Sequence, residues 1–245
     1  MMLTVQDLTL AGRLQHVSLN LRPGEVTAIC GPNGAGKSSL LTCLAGLIEP
    51  DAGVITLDGQ GLSALAPRER ARLVGYLPQQ GEVAWNLSVE TLASLGRLPW
   101  NTGAKADRAA VDAALQALDL EHLRQRSVAQ LSGGELARVL LARVLAGEPR
   151  WILADEPLAN LDLAHQLGLL RQFRRLAGKG AGVCLVLHDL AQAMNHADRV
   201  VVLDRGSLAA DGPPQSALSE AMIEQVWKVP VRWLGDAGQR ALVSG

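Results

Sequence analysis

Residues 31–38 read Gly31-Pro32-Asn33-Gly34-Ala35-Gly36-Lys37-Ser38 and match the phosphate-binding pattern G-x-x-x-x-G-K-[ST] at every fixed position. The largely apolar residues 25–30 predict a buried β-strand before the motif, and residues 38–45 predict a helix that begins directly after it. At such a strand-to-helix turn, glycines let backbone N–H groups approach an anion, and the new helix adds its unpaired donors. The motif and its setting therefore favour a phosphate-binding P-loop over a glycine-rich turn that binds nothing.

The last residues of this loop have distinct expected roles. The Lys37 ammonium is expected on the β- and γ-phosphates of a nucleotide, and the Ser38 hydroxyl is expected to ligate Mg²⁺. The residues expected to contact the nucleotide here are Gly31, Pro32, Asn33, Gly34, Ala35, Gly36, Lys37, Ser38 and Ser39.

Composition excludes several classes of function. The chain has 245 residues, of which 48% are hydrophobic and 19% charged, as is ordinary for a globular protein with a sizeable core. Its formal net charge of −1 provides no basic field, so nucleic acid is not an expected partner. The sequence shows no basic segment followed by an apolar core at its start and no run of about 18 apolar residues, so we expect it neither to cross a membrane nor to be exported. Three cysteines without C-x-x-C spacing are expected to be buried, reduced thiols.

The alternation of predicted elements indicates an α/β protein with a P-loop NTPase core. We expect a mixed, mostly parallel sheet, an antiparallel β-layer and an inserted helical subdomain. Residues 1–81 and 150–212 form the predicted RecA-like core with its β-layer. Residues 82–149 form the predicted helical subdomain, and residues 213–245 a small helical C-terminal appendage.

Hydrophobic periodicity and turn residues give the individual elements. The predicted strands are residues 3–5, 8–10, 17–21, 25–30, 54–59, 74–79, 151–155, 182–187 and 200–203. The predicted helices are residues 38–45, 67–72, 89–95, 105–118, 120–126, 135–146 and 163–176.

Two acids, Asp155 and Glu156, follow directly on an apolar run. Adjacent acids after a strand often form only a solvated turn, but a nucleotide held by its phosphates also needs a metal ligand and a base. We therefore expect Asp155 to hold Mg²⁺, directly or through water. Glu156 is expected to accept a proton from the attacking water.

His188 and Gln79 each lie at the end of a predicted strand, where ligands gather in open α/β sheets. The His188 imidazole is expected to hydrogen-bond the γ-phosphate, and the Gln79 amide oxygen to reach Mg²⁺ or the attacking water. The predicted catalytic residues are thus Glu156, His188 and Gln79, and the predicted metal ligands are Ser38, Gln79 and Asp155. We interpret the other histidines as structural or exposed; they are His16, His122, His165 and His196.

A second glycine-containing turn, Leu131-Ser132-Gly133-Gly134-Glu135, opens the predicted helix that ends at residue 146. Ser132 and Glu135 have the spacing of a capping box, so a well-capped helix explains them without any ligand. Capping does not require the two glycines, which leave backbone N–H groups open to an anion. We therefore expect this turn to bind phosphate, and the predicted nucleotide-binding residues include Ser132, Gly133, Gly134 and Glu135.

The order of these motifs resembles the nucleotide-binding subunit of ABC transporters over almost the whole chain. The resemblance implies ATP and Mg²⁺ as cofactors, ATP hydrolysis, and a head-to-tail dimer with a second copy of the chain. In that dimer, residues 132–134 of one copy contact the γ-phosphate held by the P-loop of the other. The resemblance also identifies Ala159-Asn160-Leu161-Asp162 as the D-loop, with Asp162 among the nucleotide-binding residues.

Two further stretches are similar to importers of large metal chelates. Residues 88–99 resemble the start of the helical subdomain in importers of ferric siderophores, haem and cobalamin, and residues 231–244 resemble the tail of the vitamin B12 importer's ATPase. The likeness implies transmembrane permease subunits, an external substrate-binding protein and a location at the cytoplasmic face of the inner membrane. A groove near residues 79–98, with Trp85 and Trp100 at its edge, is expected to receive a helix of the permease.

The sequence departs from the family at the residue that would contact the adenine base. Family members commonly stack adenine on an aromatic residue, yet residues 8–17 contain none, so Leu10, Ala11 or Arg13 is expected to cover the base.

Two other functions stay open: a soluble ABC-type ATPase that acts as a regulatory module without transport, and the ATPase of an exporter.

Overall fold

The computed structural model describes residues 2–79, 87–159 and 161–245. Its strands are β1 Leu3–Leu10, β2 Leu14–Leu21, β3 Val26–Cys30, β4 Ala52–Leu57, β5 Gln60–Gly61, β6 Val74–Leu77, β7 Trp151–Asp155, β8 Gly182–Val186, β9 Arg199–Asp204, β10 Ser207–Gly212, β11 Val231–Leu234 and β12 Ala241–Ser244. Its helices are α1 Lys37–Leu44, α2 Pro67–Leu73, α3 Val89–Ser94, α4 Ala104–Ala117, α5 Gly133–Ala146, α6 Leu163–Gly178, α7 Leu190–His196, α8 Pro214–Ala217 and α9 Glu220–Trp227. Within these ranges, no helix has the length and apolar character needed to cross a membrane.

A six-stranded sheet in the order β10-β9-β3-β8-β7-β6 lies at the centre of the described structure. The strand β3 pairs in parallel with β8 and β9, and β7 pairs in parallel with β8 and β6. The edge strand β10 is antiparallel to β9. The predicted mixed, mostly parallel sheet is therefore confirmed.

Both faces of this sheet are covered, which explains why its strands are almost continuously apolar. In β3, Ala28 and Cys30 belong to an apolar cluster that includes Phe173 of α6. Ile29, on the opposite face of the same strand, belongs to a second cluster that includes Leu40 of α1 and the antiparallel strands β1 and β2. With both faces buried, the carboxyl edge of the sheet is the place where polar side chains can meet a ligand.

The predicted antiparallel layer is present as a four-stranded sheet in the order β2-β1-β4-β5. The prediction of two separate strands at residues 3–5 and 8–10 is wrong, because β1 runs unbroken from Leu3 to Leu10. Its register against β2 shifts between Val5 and Leu8, where Asp7 has a φ of 51°. A bulge of this kind bends a strand without ending its pairing.

Helices α3, α4 and α5 lie between β6 and β7, as predicted, and bury Val89, Leu115 and Val139. The predicted helix at residues 120–126 is wrong in extent: only a 3₁₀ turn, Glu121–Leu123, forms there. These elements also pack on the sheet, since a Cβ at Gly75 of β6 would lie 2.6 Å from Cγ1 of Val144. The division into core, helical subdomain and appendage stays a prediction.

The C-terminal segment is only partly helical, contrary to the prediction. After α8 and α9 the chain forms a hairpin in which β11 and β12 pair antiparallel. Gly235 and Gly238, with φ values of 90° and 84°, lie in the connection between the two strands. The indole Nε1 of Trp233 donates to the Leu218 carbonyl at 2.8 Å and thereby ties the hairpin to the preceding helices.

The three cysteines are free and buried, as expected from their apolar surroundings. Burial raises the pKa of the Cys30 and Cys184 thiols to about 12 and that of Cys43 to about 11. These thiols are therefore protonated and poorly nucleophilic at neutral pH.

Candidate functional site

The site lies where the parallel strands of the central sheet end. The P-loop follows β3, Asp155 is the last residue of β7, and His188 lies two residues beyond β8. Gln79 comes two residues after β6, the edge strand beside β7. The parallel register therefore brings residues from distant parts of the sequence to one edge.

Backbone crowding fixes the path of the P-loop. Gly31 has a φ of 151°, and a Cβ there would lie 2.3 Å from the carbonyl oxygen of Leu203 in β9. Gly36 has a φ of 99°, and its Cβ would lie 2.6 Å from the carbonyl oxygen of Arg13. Only glycine fits at both positions, because each contact is with backbone that cannot move aside.

The Lys37 side chain lies inside the loop that precedes it. Its ammonium Nζ donates to the carbonyl oxygens of Gly31 at 2.8 Å and Pro32 at 2.9 Å. Burial lowers the pKa of Lys37, while the nearby carboxylate of Glu156 opposes that shift. The ammonium therefore lies inside the P-loop, and its contact with the β- and γ-phosphates stays a prediction.

Ser38 and Asp155 form a pair of oxygen donors at the start of α1. The Ser38 hydroxyl donates to Oδ1 of Asp155 at 3.1 Å. Asp155 is only 4% exposed, and burial raises the pKa of its carboxyl group against the effect of the Ser38 hydrogen bond. A hydroxyl and a carboxylate are ligands that suit Mg²⁺, which also takes oxygens from water and substrate phosphates. The described residues contain no cluster of three or more His, Cys, Asp or Glu side chains that would hold a metal alone.

The three predicted catalytic residues meet in one hydrogen-bonded cluster. The Gln79 amide Nε2 donates to Oε2 of Glu156 at 2.5 Å, and Nε2 of His188 pairs with Oε1 of the same carboxylate. Glu156 itself has a φ of 48°, a left-handed conformation that non-glycine residues adopt at a cost. This turn separates the Glu156 side chain from that of Asp155, so adjacent acids make different contacts.

A cavity of about 380 Å³ covers this edge of the sheet. Its lining residues are Gly12, Arg13, Asn33, Gly34, Ala35, Gly36, Lys37, Ser38, Ser39, Glu156 and His188. Glu156 and His188, two of the predicted catalytic residues, are among them, and the turn between β1 and β2 contributes Gly12 and Arg13. Leu10 and Ala11, the other two candidates for covering a base, do not line it.

The turn at residues 131–135 lies outside this cavity. Ser132 caps α5: its Oγ accepts from the N–H of Glu135 at 3.2 Å, and Oε2 of Glu135 accepts from the N–H of Ser132 at 2.7 Å. The predicted capping box is therefore present. No hydrogen bond within the described chain uses the backbone N–H groups of Gly133 and Gly134.

Asp162 caps the next helix, α6, and accepts from the backbone N–H of His165 at 2.9 Å. It is also outside the P-loop cavity. Asn160, predicted as part of the D-loop, lies outside the described residues, as does Trp85.

Comparisons with known proteins agree with this geometry. A family model described as ABC transporter matches residues 14–159. The hemin import ATP-binding protein HmuV of Nocardia farcinica is 45% identical over 223 residues, which cover 90% of this chain and 77% of the relative.

The chain belongs to the ABC transporter family. The predicted family and the predicted P-loop NTPase fold are confirmed, and as an ABC ATP-binding protein the chain is an ATPase. A solved structure of a metal-chelate type ABC transporter in an inward-facing conformation superposes with a TM-score of 0.85 at 26% identity, over 99% of this chain and 97% of the other. The ATP-binding cassette MJ0796, solved as a dimer in a post-hydrolysis state with ADP and Pi, superposes with a TM-score of 0.79 at 25% identity, over 86% of this chain and 98% of the other.

Sequence reasoning missed two contacts of this ABC ATPase. The Gln79–Glu156 bond joins residues 77 positions apart, and no local signal pairs them. The His165 imidazole lies against Gly134, a contact that the interpretation of His165 as structural or exposed does not include. The only local signal for the His165 position is a helix-capping pattern, in which Asp162 is followed three positions later by the polar residue His165.

We predict that Asp155→Asn stabilises the nucleotide-free protein at neutral pH and removes its stabilisation by Mg-ATP. Because burial raises the folded-state pKa of Asp155, ionisation costs stability above that pKa, and the cost disappears as the pH falls towards about 4. The thermal midpoint of the variant should exceed that of the parent at pH 7.5, and the difference should shrink with acidification.

Asp204→Asn, at the end of strand β9 in the same sheet, is the matched control and should change neither property. Full stabilisation of Asp155→Asn by Mg-ATP in a thermal-shift titration would contradict the assignment of Asp155 to the metal.

Proposed function

We propose that this chain is the ATP-hydrolysing motor subunit of an importer that takes up haem, and that it works as a head-to-tail dimer below a membrane permease. The observation that carries the ATPase part is the cluster of Gln79, Glu156 and His188 at one end of a P-loop cavity. The cargo is argued separately, because no residue of the described site is built to contact it.

The nucleotide would occupy the P-loop cavity with its phosphates towards α1. Backbone N–H groups at the start of α1 and the Lys37 ammonium bind the β- and γ-phosphates. Ser38 and Asp155 would hold Mg²⁺, which supplies charge neutralisation on the phosphate oxygens when bound. Gln79, the third predicted ligand, has its amide nitrogen committed to Glu156, so its oxygen is the atom available for Mg²⁺ or water.

Glu156 is placed to take the proton of the attacking water. Both carboxylate oxygens are engaged, one by Gln79 and the other by His188. When the His188 imidazole turns to the γ-phosphate, Oε1 of Glu156 becomes free to accept a proton. The Gln79 amide keeps the carboxylate oriented during this exchange.

A dimer completes the site with residues that the cavity lacks. Ser132, Gly133, Gly134, Glu135 and Asp162 do not line the cavity of their own chain. The unused N–H groups of the two glycines suit an anion presented by another molecule. The dimeric cassette with ADP and Pi supports the same assembly here, and a two-fold dimer would contain two equivalent sites.

We expect Glu156→Gln to bind ATP normally, to hydrolyse it about 10²–10⁴-fold more slowly and to accumulate as an ATP-bound dimer, because it loses only the general base. Steady-state hydrolysis, equilibrium binding of ATP and sedimentation velocity with and without ATP measure the three properties. Glu224→Gln on the exposed face of α9 is the control. Unimpaired hydrolysis by Glu156→Gln would show that another group is the base.

Arg13 is the residue that we assign to the adenine. Its backbone is fixed, since its N–H donates to the Leu10 carbonyl at 2.9 Å and its own carbonyl packs against Gly36 and Gly206. Its side chain is exposed at the cavity edge, and in the described part of the chain no hydrogen bond or ion pair engages the guanidinium. Among the described residues, none that lines the cavity is aromatic, and a planar guanidinium can lie flat on a base.

Arg13→Ala should raise the KM for ATP about tenfold with little change in kcat, because it removes a contact worth about 1–2 kcal/mol that does not change during hydrolysis. Arg13→Tyr should restore the KM. Inorganic tripolyphosphate has the phosphates of ATP but no base, so it tests the phosphate contacts alone. Its inhibition constant should be the same for Arg13→Ala and the parent. An equal weakening of ATP and tripolyphosphate would mean that Arg13 binds phosphate instead.

The permease contact is expected beside the predicted groove. A surface cavity of about 440 Å³ lies there, lined by Arg97, Leu98 and Trp100 among others, and Leu98 is 69% exposed. The guanidinium groups of Arg72 and Arg97 lie 5.0 Å and 4.8 Å from the Trp100 ring centre, which holds this surface against α2. The remaining part of the predicted groove, residues 80–86, lies outside the described residues.

Haem is the favoured cargo because the Nocardia relative is named for hemin import and the solved neighbour is of metal-chelate type. An iron siderophore and cobalamin are the alternatives within this class. The proposal includes an external binding protein that delivers the cargo and a peripheral location at the cytoplasmic face of the inner membrane. A soluble regulatory ATPase would need neither.

We predict that the chain co-purifies with its neighbouring permease and that haem-loaded binding protein stimulates ATP hydrolysis in proteoliposomes. Ferric siderophore and cobalamin should not stimulate it. Leu98→Asp should abolish assembly with the permease while the isolated subunit still hydrolyses ATP, and Leu234→Asp in the C-terminal hairpin is the exposed control. If only cobalamin stimulated hydrolysis, cobalamin would be the cargo in place of haem. If the chain bound no permease, the regulatory ATPase would be favoured.

A further inference from the structure

The His165 imidazole lies between the two motifs that the P-loop cavity does not contain. It occupies the first turn of α6, three residues after Asp162, and its ring faces Gly134 in the first turn of α5. We propose that His165 is a positioning residue that fixes the D-loop acid and the glycine turn of one subunit relative to each other for contact with the partner's nucleotide. The inference rests on the proposed dimer.

In the hydrogen bond between His165 and Asp162, the imidazole is the donor and the carboxylate is the acceptor. Nδ1 of His165 lies 2.7 Å from Oδ1 of Asp162, and the same oxygen accepts the His165 backbone N–H at 2.9 Å. These bonds lower the pKa of Asp162, so its carboxylate is ionised and can only accept. The Nδ1 atom must therefore carry the proton and donate it, which sets the orientation of the ring.

The contact with Gly134 is a close approach that leaves little room for a side chain. A Cβ at Gly134 would lie 3.0 Å from Cγ and Cδ2 of the imidazole and 3.2 Å from Nδ1. Gly134 has ordinary helical backbone, so left-handed geometry does not explain this glycine. The ring of His165 accounts for it, because a methyl group at Gly134 would lie so close to the imidazole that the ring would have to shift.

The anchoring of α6 is independent of His165. Leu169, Leu170 and Phe173 are buried in the main apolar cluster and hold the helix to the sheet. The Gln166 side chain also donates to the carbonyls of Leu158 and Leu161, which supports the preceding loop. The His165 side chain remains 35% exposed. Its removal should therefore change the spacing of the two motifs and leave the fold in place.

The test uses the full-length protein with His165→Ala and His165→Asn, each alone and combined with Glu156→Gln. ATP affinity of the monomer should stay within about twofold, and the thermal midpoint within about 2 °C of the parent. In the Glu156→Gln background, the Kd of the ATP-bound dimer should rise about tenfold for His165→Ala. In the wild-type background, kcat should fall by a similar factor while KM is kept. His165→Asn, which can still donate to Asp162, should recover most of both.

A double-mutant cycle with Gly134→Ala tests the ring contact directly. The methyl group should weaken the dimer when His165 is present and weaken it less when His165 is alanine. Strictly additive effects, parental dimerisation of His165→Ala, or a large loss of its thermal stability would each overturn the proposal. If the Glu156→Gln parent itself does not dimerise with ATP, the proposed dimer is wrong instead.

Discussion

The position of the P-loop backbone between two sheets is the constraint on which the rest of the site depends. Gly31 lies against the Leu203 carbonyl of the parallel sheet, and Gly36 lies against the Arg13 carbonyl of the β1–β2 turn. A side chain at either glycine would push the loop away from backbone that cannot yield. The antiparallel layer therefore does more than extend the core: it closes one side of the loop and also delivers Arg13 to the cavity edge. Because α1 starts at the end of this loop, the positions of Lys37 and Ser38 depend on the path of the loop.

Around this fixed backbone, the site contains charges that the protein alone does not fully satisfy. Burial lowers the pKa of Lys37 and raises that of Asp155, so each shift disfavours the charged form that the proposed nucleotide and metal binding would require. Glu156 adopts a left-handed backbone conformation at the same edge. Such local costs are typical of binding sites, where the ligand supplies the missing partners. If Asp155 holds Mg²⁺ as proposed, the stability lost at this residue and its affinity for the metal have a common origin, namely a carboxylate held beside Ser38 and away from water.

The sequence was most informative where function is encoded in contiguous residues. The P-loop, the Asp155-Glu156 pair and the capped turn at Ser132 all lie where they were predicted, because backbone conformation at each is set by its own glycines, strand end or cap. The bulge in β1 and the C-terminal hairpin were missed, since each depends on pairing with another strand rather than on local preference. For the same reason the Gln79–Glu156 bond needed the register of β6 against β7, which periodicity alone does not give. Arg13 was one of three candidates, and the cavity lining separates it from Leu10 and Ala11.

A close approach at glycine recurs at the turn that begins with Ser132, with a different neighbour. At Gly31 and Gly36 the neighbour is immovable backbone, whereas at Gly134 it is the ring of His165, which is itself oriented by a carboxylate. Backbone contacts therefore fix the path of the P-loop. The position of the Ser132 turn relative to α6 depends instead on the hydrogen bond between Asp162 and His165. If a second copy must recognise the Ser132 turn and Asp162 together, their relative position has to be set before the two subunits meet. A single imidazole in contact with both motifs meets that requirement.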